Sequence, residues 1–119
     1  MKRVSFVIHK GKTILLADLS GCKPKDVIKI VDEAKRVVTA EPRGSVLTLS
    51  DFTGTEFTRE AVTRMKEVAV YNRPFVKRSA LVGAESLPAV YLQAIKTFSQ
   101  REFHRFESRE EAMDWLAEE

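Results

Sequence analysis

The side chains with the widest chemical repertoire in this 119-residue chain are one cysteine, Cys22, and two histidines, His9 and His104, each in a different segment. Metal sites built from such residues usually show short spacings like C-x-x-C or H-x-x-x-H, because one turn or helix face then presents two ligands at once. No such spacing occurs. Nucleophilic catalysis needs a hydroxyl or thiol whose proton a neighbouring base accepts. The G-x-S-x-G elbow is absent, and no motif joins Cys22 to His104. The five glycines form neither a P-loop nor a dinucleotide fingerprint, so no backbone cradle for a pyrophosphate is read. The sequence is accordingly read as non-enzymatic, with no catalytic residue, metal or cofactor.

One stretch does concentrate reactive and docking groups: Ser50-Asp51-Phe52-Thr53-Gly54-Thr55-Glu56-Phe57-Thr58. Four hydroxyls, two carboxylates and two phenylalanines fall between an apolar run and a helical one. At the carboxyl end of a strand in an α/β sheet, such a loop faces the rim where ligands and partners dock. A hydroxyl at the N-cap of the following helix would suit a phosphoryl group, since a dianion there meets free amides and the positive end of the dipole. Capping alone also accounts for Thr58, at about 1 kcal/mol, and Phe52 and Phe57 can simply plug the core beneath.

The elements that must position this loop follow from periodicity. A strand from about Arg3 to His9, the turn Lys10-Gly11-Lys12 and a strand from about Thr13 to Leu19 read as a hairpin. Ile14-Leu15-Leu16-Ala17 is apolar on both faces, as in a strand covered on both sides. After a loop, Pro24 suits a first helical turn, and Val27, Ile28, Val31, Ala34, Val37 and Val38 recur at helical spacing. Pro42 and Gly44 close that helix before a central strand at Val46-Leu47-Thr48-Leu49. Ala61, Val62, Met65, Val68 and Ala69 mark a second helix capped by Thr58. Val76 to Val82 is a fourth strand. Leu87, Val90, Tyr91, Ala94, Ile95 and Phe98 predict a third helix with Pro88 in its first turn. A short strand from Phe103 to Phe106 follows. Ser108-Arg109-Glu110-Glu111 matches a capping box opening a last helix, whose buried face is Ala112, Trp115 and Leu116.

The order is ββαβαβαβα. The hairpin supplies an antiparallel pair and each later helix a parallel crossover, so the expectation is a mixed five-stranded sheet flanked by helices. Residues 1–119 read as a single domain, with no internal repeat and no low-complexity linker. With 44% hydrophobic and 31% charged residues, the chain has the balance of a folded soluble protein and length enough to bury a core without a metal or disulfide staple. No apolar run reaches a membrane span, and the opening Val4-Ser5-Phe6-Val7-Ile8 is too short for a signal peptide, so a cytoplasmic protein is expected. The net charge of +3 is interspersed, with only Arg73 and Lys77-Arg78 clustered, which argues against nucleic acid as partner.

Element order and the hydroxyl loop together resemble the STAS domain of bacterial anti-sigma-factor antagonists. The ending Phe106-Glu107-Ser108-Arg109-Glu110-Glu111-Ala112-Met113-Asp114-Trp115-Leu116 is similar to that of a stand-alone, SpoIIAA-like group of STAS domains. In that family an Asp-Ser-Ser-Gly motif opens the second helix. A kinase that is also the anti-sigma partner phosphorylates its second serine, which disrupts the complex. Matched from Val46 without gaps, Glu56-Phe57-Thr58-Arg59 lies on that motif, with Thr58 at the phosphoacceptor and Glu56 at the aspartate. Asp51-Phe52-Thr53-Gly54 is closer in residue type but earlier relative to the strand. Both matches lack the serine pair, and Arg59 stands where the motif has glycine.

The resemblance implies a regulatory binding module with a protein partner, an anti-sigma-type kinase. Thr58 or Thr53 would be its phosphoacceptor, and Asp51, Thr55, Glu56 and Arg59 its partner surface. The same group resembles lipid-binding CRAL-TRIO-like domains, which implies an alternative: a small apolar ligand held between the sheet and the helix carrying Leu87, Tyr91 and Phe98. Whether the exposed face of the second helix pairs two copies as a homodimer is left open.

Overall fold

The computed structural model describes residues 2–118. Its first two strands, β1 (Val4–His9) and β2 (Lys12–Asp18), pair antiparallel in the expected hairpin. Lys10 and Gly11 join them with φ of 51° and 79°. Two successive positive φ values give the turn the twist that flanking strands require. From β2 onward every pairing is parallel: β2 to β3 (Val46–Asp51), β3 to β4 (Val76–Val82), and β4 to β5 (His104–Phe106). The strand order in space is the order in sequence, so β3 is central.

Parallel neighbours require crossovers, and helices supply them. α1 (Pro24–Val38) links β2 to β3, α2 (Arg59–Asn72) links β3 to β4, and α3 (Ala89–Ser99) links β4 to β5; α4 (Arg109–Ala117) follows β5. The alternation of strand side chains divides the interior into two cores. Leu15, Ala17 and Leu81 meet Val27, Val38, Val62, Met65 and Ile95 on the face that α1, α2 and α3 cover. Ile14, Leu47, Leu49, Ala80 and Val82 meet Ala112 and Leu116 of α4 on the other. Ile14 and Leu15 are adjacent, point to opposite faces and are 0% and 2% exposed, which is the two-sided burial their apolar run predicts.

The architecture is thus the mixed five-stranded α/β sheet expected from the sequence, in the element order of the STAS resemblance. Local chemistry accounts for the element ends. Pro24 stands at the start of α1. The side chain of Thr58 accepts a hydrogen bond from Ala61 N at α2, and that of Ser108 accepts one from Glu111 N at α4. α3 departs from its expected stripe. Leu87 is buried but precedes the helix, Pro88 is its N-cap, and Val90 and Phe98 are 71% and 56% exposed. Phe98 is covered only in part, by Lys66 of α2, whose Nζ lies 5.0 Å from its ring centroid. Among the described residues no helix is long and apolar enough to cross a membrane.

Candidate functional site

Three loops leave the carboxyl ends of β2, β3 and β4 and meet at one rim. The sequences entering the first two are alike: Leu16-Ala17-Asp18-Leu19-Ser20-Gly21 and Leu49-Ser50-Asp51-Phe52-Thr53-Gly54. Parallel pairing sets Asp18 beside Asp51. Each carboxylate then folds the loop in the same way. Asp18 Oδ1 accepts from Ser20 N at 3.0 Å and Ser20 Oγ at 2.6 Å. Asp51 Oδ1 accepts from Thr53 N at 2.9 Å and Thr53 Oγ1 at 2.7 Å. The residue between aspartate and hydroxyl, Leu19 or Phe52, plugs the core. The sequence signal for this pair of turns is Asp-[Leu/Phe]-[Ser/Thr]-Gly after an apolar strand.

Arg109, on the first turn of α4, joins the two turns. Its Nε donates to Asp51 Oδ2 at 2.7 Å and its Nη2 lies 3.0 Å from Asp18 Oδ1. Arg3 Nη1 adds a bond to Ser20 O at 2.8 Å and lies 3.6 Å from Asp18 Oδ1. Burial alone would raise the pKa of both carboxyls, but the hydrogen bonds from Ser20 or Thr53 and the guanidinium of Arg109 outweigh it and hold both below the usual range. Two ionised carboxylates that share one guanidinium brace the loops against each other. Asp18, Arg3 and Arg109 escaped the sequence reading because their meeting depends on strand order and on the side of the sheet that α4 covers.

The third loop closes on the second. Gly83, at φ +69°, lies so close to Thr53 that a Cβ built there would be 2.4 Å from Thr53 N. Gly54 N donates to Ser86 Oγ at 3.0 Å, and Gly21 N to Thr53 O at 2.8 Å. The rim is therefore cross-tied and stiff.

The expected site residues divide on this rim. Thr53 and Thr58 are both exposed, as a phosphoacceptor must be. Thr53 spends its hydroxyl on Asp51, whereas the Thr58 hydroxyl accepts from Ala61 N at 3.1 Å as the N-cap of α2. Glu56 and Arg59 are exposed, and Glu56 pairs with Lys23 Nζ at 2.6 Å. Asp51 and Thr55 do not belong to a partner surface. They are 5% and 6% exposed, Asp51 turned inward to Arg109 and Thr55 donating from Oγ1 to Leu19 O at 2.6 Å. Both are polar in type but are consumed in holding loops together. Phe52 and Phe57 meet edge to face at 5.6 Å beneath the loop.

The remaining reactive side chains are dispersed. Cys22 is buried, which raises its thiol pKa. His9 Nε2 lies 2.6 Å from Asp114 Oδ1, and His104 stacks on Trp115 with ring centroids 4.4 Å apart.

A cavity of about 90 Å³ lies between the sheet and α1–α3. From the α3 segment it is lined by Leu87, Leu92 and Ile95, not by the Tyr91 and Phe98 expected from the stripe. Its floor includes Thr48 and Ser50 of β3, and Asn72, Arg101 and Phe103 also line it.

Fold and rim together define the class as an α/β domain with a mixed sheet, helices on both faces and a braced loop rim. No family model, curated protein or solved structure matches the chain, so its class is given by architecture.

Proposed function

We propose that this domain is a non-enzymatic, cytoplasmic regulatory module that docks a protein partner through the loop after β3 and the first turn of α2, with Thr58 as its phosphorylation switch. The observation that carries this reading is the placement of Thr58: exposed, at the N-cap of α2, on the rim of a rigid sheet. A phosphoryl group there would bring a charge of about −1.5 to −2 to the positive end of the helix dipole. Glu56, Arg59 and Glu60 are exposed beside it and form the polar surface that a partner would read. Thr53 is the weaker acceptor, because modifying it breaks its bond to Asp51 and crowds Gly83. The partner implied by the STAS resemblance is an anti-sigma-type kinase.

Mass spectrometry of protein from its native cell tests the switch, together with capture of partners on the unmodified chain and on Thr58→Glu. A phosphorylated Thr58 and a partner lost with Thr58→Glu are expected. An unmodified Thr58 and identical partners would end the reading.

A second reading, a small ligand held inside the domain, is favoured by the cavity beneath α1–α3. It is compatible with the first, since Glu56, Thr58 and Arg59 do not line the cavity.

A further inference from the structure

β3 is the central strand, and its positions facing α1–α3 are expected to be filled with bulky apolar side chains. They are instead Val46, Thr48 and Ser50. Two short hydroxyl residues leave the helices above without full contact, and the cavity occupies that deficit. One wall is a mostly buried arginine. Arg101 donates from Nη2 to Ser79 Oγ at 2.8 Å and from Nη1 to Ala69 O at 3.3 Å, and its guanidinium lies over the Phe103 ring at 4.8 Å. A guanidinium has five N–H donors, and these bonds use two of them.

Among the described residues Arg101 has no carboxylate partner, unlike Arg3, Arg36, Arg64 and Arg109, which all pair with one. A buried cation is costly unless it is paired. Burial lowers its pKa only to about 10, so it remains charged at neutral pH. A second unfulfilled group lines the same cavity: Asn72 Oδ1 is buried without a hydrogen-bond partner. The rest of the wall is apolar, with Leu15, Leu19, Val38, Met65, Leu81 and Ile95.

We propose that this cavity is a binding site for a small amphipathic anion, whose apolar body replaces the missing side-chain volume over Thr48 and Ser50 and whose carboxylate pairs with Arg101. The proposal rests on the second reading above, that the cavity takes a ligand, and adds the charge and polarity of that ligand.

Isothermal titration calorimetry of the full chain with octanoate, octan-1-ol and octylammonium separates the two claims. Octanoate is expected to bind at least about ten-fold tighter than octan-1-ol, with octylammonium weakest. Arg101→Gln should abolish the preference for octanoate while leaving octan-1-ol binding unchanged. Equal binding of octanoate and octan-1-ol would overturn the anion claim and leave the ligand-binding cavity standing. No binding of any of the three would overturn both. Should Arg101→Gln fail to fold, Ser50→Val, which keeps the cation but fills the floor, serves instead. It should lose octanoate binding, and retained binding would refute the site.

Discussion

Asp18 and Asp51 sit side by side on neighbouring parallel strands and share one cation, with Arg109 Nη2 3.0 Å from the first and Nε 2.7 Å from the second. Two carboxylates at the ends of adjacent strands would repel each other without it. Arg109 also brings the first turn of α4 onto the rim formed by the loops after β2 and β3. One side chain therefore ties the last helix to the two loops that shape this rim.

Arg109→Met should cost about 2 kcal/mol, because it leaves the buried Asp51 without its cation. The cost falls below the range for fully buried pairs, since the Arg109 side chain is 37% exposed and partly screened. Urea denaturation followed by circular dichroism measures it. A loss under about 0.5 kcal/mol would mean that the brace contributes little more than a surface ion pair.

Acid should weaken the fold through the same carboxylates. Both have folded-state pKa values below the unfolded value of about 3.9. The unfolded chain therefore binds more protons than the folded one as the pH drops, and the stabilisation, complete above about pH 4, is lost as the pH falls toward and through the depressed folded values. Denaturation midpoints measured between pH 6 and 2 should fall less steeply below pH 4 for Asp51→Asn than for the unaltered chain. Parallel curves would remove Asp51 from the acid response.

Gly83→Ala should be among the most damaging small substitutions in the chain. The left-handed backbone costs a non-glycine residue about 1–2 kcal/mol, and the new Cβ would fall 2.4 Å from Thr53 N and 2.7 Å from Thr53 Cα. Overpacking against backbone adds about 1–3 kcal/mol. Gly11→Ala, at φ +79° with open space around it, carries the backbone cost alone. Thermal melting of the two variants should place Gly83→Ala well below Gly11→Ala, and coincident midpoints would show that the rim yields.

Local signals made the fold readable. The turn at Lys10-Gly11, the caps at Thr58 and Ser108 and Pro24 at the head of α1 each act over a few residues, and each lies where its chemistry placed it. The rim was half legible. Exposed Thr53 and Thr58 follow from loop composition, but the inward turn of Asp51 and Thr55 depends on Arg109, 58 residues from Asp51 in the chain, and on Leu19 O across the sheet. The cavity had a faint signature in Thr48 and Ser50, hydroxyls on a central strand. Arg101 gave none, because a lone arginine after a helix reads as solvated surface.

The single tryptophan offers a sensitive report on α4. Arg78 lies over the Trp115 ring at 3.8 Å and donates from Nη1 to Trp115 O at 2.8 Å and Glu118 O at 2.9 Å. One guanidinium nitrogen thus holds two carbonyls at the end of α4, the first of which also accepts from Glu118 N, while the guanidinium plane covers the indole. Lysine can supply the charge and an N–H donor but not the flat surface that covers the ring. Arg78→Lys should therefore cost about 1 kcal/mol and red-shift Trp115 emission as water reaches the ring. Unchanged emission and stability in Arg78→Lys would show that the charge of residue 78, and not its flat guanidinium, holds the end of α4.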